Sequence, residues 1–217
     1  MNEEINKSIL KSSTSLVGIV CKDGVVLGAD RRVTAGTLVV DKNYQKILAI
    51  NDFILAAFTG GVADAQLTRK MLSAELRLKE LATKTRPTIK EAANLLSMIT
   101  YRGIRNPTMI PNIVGTLIAG VDENGEVELY TIEPAGGVYK VKEYDANFSS
   151  GMPYILGLLE RQYKKDLTVK EGIELAKEAL KSSTQRDVGS GNGIDVFALT
   201  KEGIKHAVSE GIIPEYK

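Results

Sequence analysis

A chain with no tryptophan, one cysteine and one histidine among 217 residues is short of the groups from which most enzymes build their sites. A disulfide within the chain is excluded. Zinc usually takes three or four Cys, His or carboxylate ligands, and Cys21 and His206 have no second Cys or His to work with. Neither a metal nor a cofactor is expected. A Ser-His-Asp or Cys-His relay would have to use His206, which sits in a short alternating segment that reads as a surface strand, so His206 is taken as structural. Cys21 ends the apolar run Leu16 to Cys21 and reads as a small buried hydrophobe. An excess of one charge sign is missing too. Lysine plus arginine (28) against aspartate plus glutamate (27) leaves no basic field for a nucleic-acid backbone, and no nucleic-acid partner is expected. Apolar runs such as Phe53 to Phe58 and Ile155 to Leu159 fall far short of the roughly 20 residues that span a bilayer, so no membrane partner is expected. Residues 1–13 are polar and mixed in charge, unlike a secretory signal, and with no disulfide to protect, a cytoplasmic address is the expectation.

What is present is a hydrophobic content of 43%, ample for a packed core. Apolar segments come in pairs joined by turn signals. Leu16 to Cys21 and Val25 to Ala29 flank Lys22-Asp23-Gly24, and Lys46 to Ile50 and Phe53 to Phe58 flank Asn51-Asp52. Ile113 to Val121 and Val127 to Ile132 form a third pair, and Ile194 to Thr200 and Ile204 to Val208 a fourth. Consecutive hairpins mean largely antiparallel sheet. Helical periods lie between them. Leu67, Met71, Ala74, Leu78 and Leu81 predict one apolar helix face, and Ala92, Leu95, Leu96 and Ile99 a second helix opened by the capping box Thr88 to Glu91. Met152, Leu156, Leu159 and Tyr163 predict a third helix, and Thr168 to Glu171 caps a fourth. Strands, two helices, strands, two helices, strands, with no repeat or linker, predict an α+β fold: a four-layer α-β-β-α sandwich of two largely antiparallel sheets.

Candidate chemistry begins with glycine. Gly60-Gly61 and Gly189 to Gly193 could bring backbone amides to an anion, but neither carries the ending of a phosphate loop, and turns with positive φ are the plainer reading. Asn6-Lys7-Ser8 and Asn147-Phe148-Ser149 match a glycosylation sequon and, without a secretory signal, read as chance. With histidine chemistry set aside, a hydroxyl can still be activated by an amine. Thr14 begins the first apolar strand after a polar leader. A cut after Ser13 would give Thr14 both a hydroxyl and an α-amine whose reference pKa, about 7.7 to 8, suits a general base. The alternative is a threonine that merely begins a strand.

The stretch Thr14-Ser15-Leu16-Val17-Gly18-Ile19, then Lys22 to Leu27 and Ala29-Asp30-Arg31-Arg32-Val33-Thr34, resembles the start of the proteasome β subunits of archaeal type, which are N-terminal nucleophile hydrolases. The resemblance continues through Lys42-Asn43, Gln45-Lys46, Thr59 to Gln66, Ser149 to Pro153, Gln185 to Gly191 and Gly193 to Val196. It implies a leader, residues 1–13, and a single β-type domain, residues 14–217. It implies a threonine endopeptidase with Thr14 as nucleophile, Lys46 as catalytic lysine, Asp30 as its acidic partner and the Gly60 N–H receiving the oxyanion. Ser150, Asp187 and Ser190 fall where the terminal amine is oriented. Thr34 falls in the segment that pairs with bound peptide as an added strand, and Val33, Phe58 and Val62 fall around the pocket for the side chain before the cut, implying apolar preference. The resemblance further implies seven-membered β rings stacked inside α rings, a regulatory ATPase acting through the α ring, and unfolded polypeptide as substrate.

Residue by residue, plainer readings stand beside these: a turn aspartate pairing with Arg31 or Arg32, an edge lysine, capping serines. The chain also departs from the pattern. Ser13 stands where self-processing subunits have glycine, and a side chain there crowds the attack on its own carbonyl. Ser15 and Leu16 replace threonines, Ser149 a glycine and Met152 a serine. Three functions stay open: the endopeptidase; a noncatalytic, unprocessed structural subunit of the ring; and a small-molecule amidase of the same nucleophile class.

Overall fold

A computed structural model describes residues 10–211. Residues 1–9, with the sequon at Asn6 and most of the expected leader, and residues 212–217 lie outside them. The chain runs through β1 (Leu10–Ser12), β2 (Leu16–Cys21), β3 (Gly24–Asp30), β4 (Val33–Ala35), β5 (Leu38–Asp41), β6 (Ile47–Asn51) and β7 (Ile54–Gly61). Two helices follow, α1 (Val62–Thr83) and α2 (Ile89–Arg105), then β8 (Val114–Val121), β9 (Val127–Ile132), β10 (Val138–Lys140) and β11 (Tyr144–Asp145). A second helix pair, α3 (Met152–Gln162) and α4 (Val169–Thr184), leads to β12 (Gly193–Thr200) and β13 (Gly203–Gly211).

One sheet has the order β10-β9-β8-β7-β1-β4-β5, with β6 also on β7; the other is β11-β2-β3-β12-β13. Neighbours in both are antiparallel. The strands read as nearly continuous apolar runs because they are covered on both faces. Leu16, Leu27, Leu55, Leu117 and Phe197 pack between the sheets. Ile19, Val26, Ile155, Leu180 and Val196 form a core under α3 and α4, and Ile54, Phe58, Leu72, Leu96 and Ile118 one under α1 and α2. The α-β-β-α sandwich expected from the element order is the observed fold. Both capping boxes form, Thr88 accepting from the Glu91 N–H and Thr168 from the Glu171 N–H. Among the described residues no helix is long and apolar enough to cross a membrane.

Two local expectations change. The apolar stripe of α1 faces outward: Leu67 is 53% exposed and Leu78 60%, while the helix buries Val62, Thr68, Leu72 and Leu76. Helical periodicity reports that an apolar face exists, not that it meets the sheet, and this helix carries two. Residues 1–13, expected to be a leader and read as lacking pattern, contribute β1. Leu10 pairs with Ala35 and Lys11 with Thr34 on one side; Lys11 pairs with Gly61 and Ser12 with Gly60 on the other. Three residues too short to show a period gain their ladder from two waiting strand edges.

Candidate active site

Thr14 is fully buried in the short link between β1 and β2, so the strand begins at Leu16 rather than at the threonine. Its N–H donates to Ser150 Oγ at 3.0 Å, and its carbonyl accepts from the Gly151 N–H at 3.2 Å. Two helix ends supply this seat. The approach to α3 brings Ser150 and Gly151; the turn that leaves α4 brings Asp187 and Ser190, with the Asp187 N–H still bonded to the Ser183 carbonyl. Asp187 Oδ2 accepts from both hydroxyls, Ser150 at 2.6 Å and Ser190 at 2.5 Å. Since a hydroxyl has one proton, a Ser150 that donates to Asp187 offers its lone pairs to the Thr14 nitrogen. Through that hydroxyl the Asp187 carboxylate is linked to the Thr14 N–H.

On the other side of the threonine, Lys46 precedes β6 and Asp30 ends β3, and both side chains are fully buried. Lys46 Nζ donates to Asp30 Oδ1 at 2.7 Å and to the Ser13 carbonyl at 3.1 Å, the carbonyl of the Ser13–Thr14 peptide bond. The carboxylate accepts three further backbone N–H bonds, from Ser15 at 2.9 Å, Arg32 at 2.9 Å and Gly191 at 3.0 Å. Burial pushes the Lys46 ammonium below the usual lysine range, against the opposing charge and hydrogen bond of Asp30 and the charge of Asp187. Asp30 is thus paired with Lys46 rather than with the neighbouring guanidiniums, which are used elsewhere: Arg31 on Asp195, Arg32 on Asn192 and the Val188 carbonyl.

Gly60 faces Ser12 across the ladder with φ +112°, and a Cβ there would stand 2.0 Å from the Ile113 carbonyl oxygen. Both the backbone and the space require glycine. Thr34, on β4, forms the opposite wall, pairing with Lys11. Phe58 and Val62 line a small cavity of about 10 Å³ together with Tyr44, Lys46, Leu48 and Gln66. Val33 is buried on β4 outside that lining.

Ser15 and Ser183 were not among the candidates. Ser15 Oγ donates to Ser190 Oγ at 2.8 Å and lies 2.5 Å from Ser183 Oγ, both serines being fully buried. With the Ser15 proton on Ser190, Ser183 donates to Ser15, and the chain Ser183, Ser15, Ser190 ends on Asp187. A Cβ on Gly151 would come within 2.2 Å of Ser183 Oγ, so that glycine seats the hydroxyls. Residues 15 and 183 lie far apart in sequence, and only the fold brings them together.

His206 lies outside the group described, stacked on Phe197 at 4.2 Å with Nε2 2.9 Å from Asp195 Oδ1. Cys21 is buried, with its thiol pushed up to about 12 by desolvation and by Asp23 and Glu171. The Asn147 amide is buried and donates to the Thr116 and Ile132 carbonyls and to Thr131 Oγ1, a poor acceptor site for a glycan.

Comparison with known proteins places the chain in a family. A family model described as proteasome subunit matches residues 10–199. A proteasome subunit beta from Nanoarchaeum equitans is 42% identical over 88% of this chain and 95% of its own length. Those from Methanocaldococcus vulcanius and Archaeoglobus profundus are 37% and 38% identical, each over 92% of this chain and over 87% and 90% of their own lengths.

Proposed function

Because the chain belongs to the proteasome subunit family, we propose that it is a β-type threonine endopeptidase subunit, with residues 1–13 a leader removed from a single domain that begins at Thr14. The observation that carries this reading is the convergence of a buried Lys46–Asp30 pair and the Ser150–Asp187–Ser190 group on the two sides of one threonine. Once the bond after Ser13 is cut, the Thr14 amine takes the proton of its own hydroxyl as Oγ attacks a peptide carbonyl. Ser150 and Asp187 favour the ammonium that results. The Lys46 charge favours the deprotonated hydroxyl, and the Gly60 N–H receives the oxyanion.

The leader indicates how substrate is held. A peptide taking the place of β1 would pair with Gly60 and Gly61 on one side and Thr34 and Ala35 on the other, a recognition through main-chain bonds that suits unfolded polypeptide of varied sequence. Phe58 and Val62, with the buried Val33 on β4, favour an apolar side chain before the cut. The exposed α1 stripe gives a face for neighbouring subunits, consistent with a β ring of seven stacked on an α ring in the cytoplasm, with a regulatory ATPase beyond it.

A second reading rests on Ser13 and on β1 itself: a chain that keeps its leader in this cleft is a noncatalytic ring member. Substitution decides between them. In the assembled particle, Thr14→Ala should lower hydrolysis of fluorogenic peptides by on the order of 10³-fold or more, while Thr14→Ser retains measurable turnover. Equal activity of wild type and Thr14→Ala would remove the threonine from the mechanism.

A further inference from the structure

We propose that Gly189 is the receptor for the Ser13 side chain, and that this glycine lets a residue with a Cβ stand before the cut. A Cβ at position 189 would lie 2.0 Å from Ser13 Cβ, 2.9 Å from Ser13 Oγ and 3.3 Å from Ser13 Cα. Carbon atoms do not pack at 2.0 Å, so a side chain at 189 and one at 13 exclude each other in this arrangement.

Neither partner is free to step aside. Ser13 is held by its carbonyl on Lys46 Nζ, and the residue before it is in register with Gly60. The turn carrying Gly189 is held by its own N–H on Asp187 Oδ1 at 3.1 Å and by the Ser190 N–H on the Asp187 carbonyl at 3.1 Å. Nor does the backbone ask for glycine: Gly60 and Gly191 have positive φ, whereas Gly189 is not among the positive-φ residues. The three atoms nearest to a Cβ at 189 all belong to Ser13, and the two nearest are its side chain.

The consequence concerns self-cleavage. Thr14 Oγ attacks the Ser13 carbonyl carbon, the new C–O bond replaces the C–N bond, and the hydroxyl proton ends on the released Thr14 nitrogen. Water then hydrolyses the ester, leaving a carboxylate on Ser13 and restoring the Thr14 hydroxyl. The first step needs the carbonyl presented to Oγ, and a misplacement on the order of 1 Å costs about 10²-fold. Gly189 keeps Ser13 in place as a small residue would be kept without it, and so sets the size limit at the position before the cut.

The inference rests on the reading that this bond is cut, and a four-chain cycle tests it. Wild type, Gly189→Ala, Ser13→Gly and the double variant are assembled, and leader loss is followed by intact mass. Gly189→Ala should lose its leader about 10²-fold more slowly than wild type, and the double variant should return to the Ser13→Gly rate. A Gly189→Ala chain that fails to assemble, with assembly restored by Ser13→Gly, reports the same contact. Leader loss from Gly189→Ala at the wild-type rate, or a double variant as slow or as poorly assembled as Gly189→Ala, overturns the inference and leaves the peptidase reading standing. A wild-type particle that keeps its leader overturns both.

Discussion

Asp30 and Arg31 are adjacent at the end of β3, yet they enter two ion pairs of opposite character. Arg31 grips Asp195 with both ends of its guanidinium, Nε to Oδ2 at 2.8 Å and Nη2 to Oδ1 at 2.5 Å, and adds Ser209 and Asn43. The solvent-touched His206 completes that cluster. It ties β3, β12 and β13 together with a cation that never gives up its proton. Asp30 instead holds a lysine, fully buried, by one point contact. The remaining reach of that ammonium goes to the carbonyl that precedes Thr14. Burying an ammonium and a carboxylate is a poor way to stabilise a fold, since desolvation offsets most of their attraction. A pair placed there at that cost fits chemistry, and the largely buried but solvent-touched fork beside it fits architecture.

Substitutions that separate the two pairs test the contrast. Asp30→Asn leaves the Lys46 charge buried without its counter-ion. It should cost about 3–5 kcal/mol in urea unfolding and abolish both leader loss and peptide hydrolysis. Asp187→Asn removes the acceptor of the Ser150 and Ser190 hydroxyls but leaves the pair intact, and hydrolysis should fall about 10²-fold. Arg31→Gln should cost about 1.5–3 kcal/mol of stability, the worth of hydrogen bonds to a charged group, and leave peptide turnover unchanged. His206→Gln, at the rim of the same cluster, should shift stability by no more than about 0.5 kcal/mol. If Arg31→Gln silenced the peptidase while Asp30→Asn did not, the assignment of roles would be reversed.

The buried pair also carries a pH signature. Because burial lowers the Lys46 pKa from its ordinary 10.5, the unfolded chain holds a proton that the native chain has released between the lowered value and 10.5. Stability should rise with pH across that window, the cost of the buried charge being fully present below it. A Lys46→Met chain lacks this slope. Parallel pH dependence of the two urea midpoints up to pH 10.5 would show that burial does not hold the ammonium down.

The layers were legible because hairpin turns, apolar strands and two capping boxes each specify local structure. The outward stripe of α1 was not, since Leu67, Met71 and Leu78 follow the same helical period as core residues, and a period carries no direction. Lys46 and Asp30 carry no mark of their own in the sequence; resemblance, not composition, brought them forward. Ser183 sits among the small polar residues closing α4, and only its contact with Ser15 gives it meaning. Gly189 read as one glycine in a turn-rich cluster, and its function as space for Ser13 depends on a leader strand that three residues could not announce.

The most direct measurement is the intact mass of the chain in assembled particles while they cleave peptide. The expected result is a polypeptide beginning at Thr14, with turnover that rises in proportion to the fraction cut. Full turnover from particles whose every chain still carries residues 1–13 would contradict the joint action of the Thr14 hydroxyl and amine.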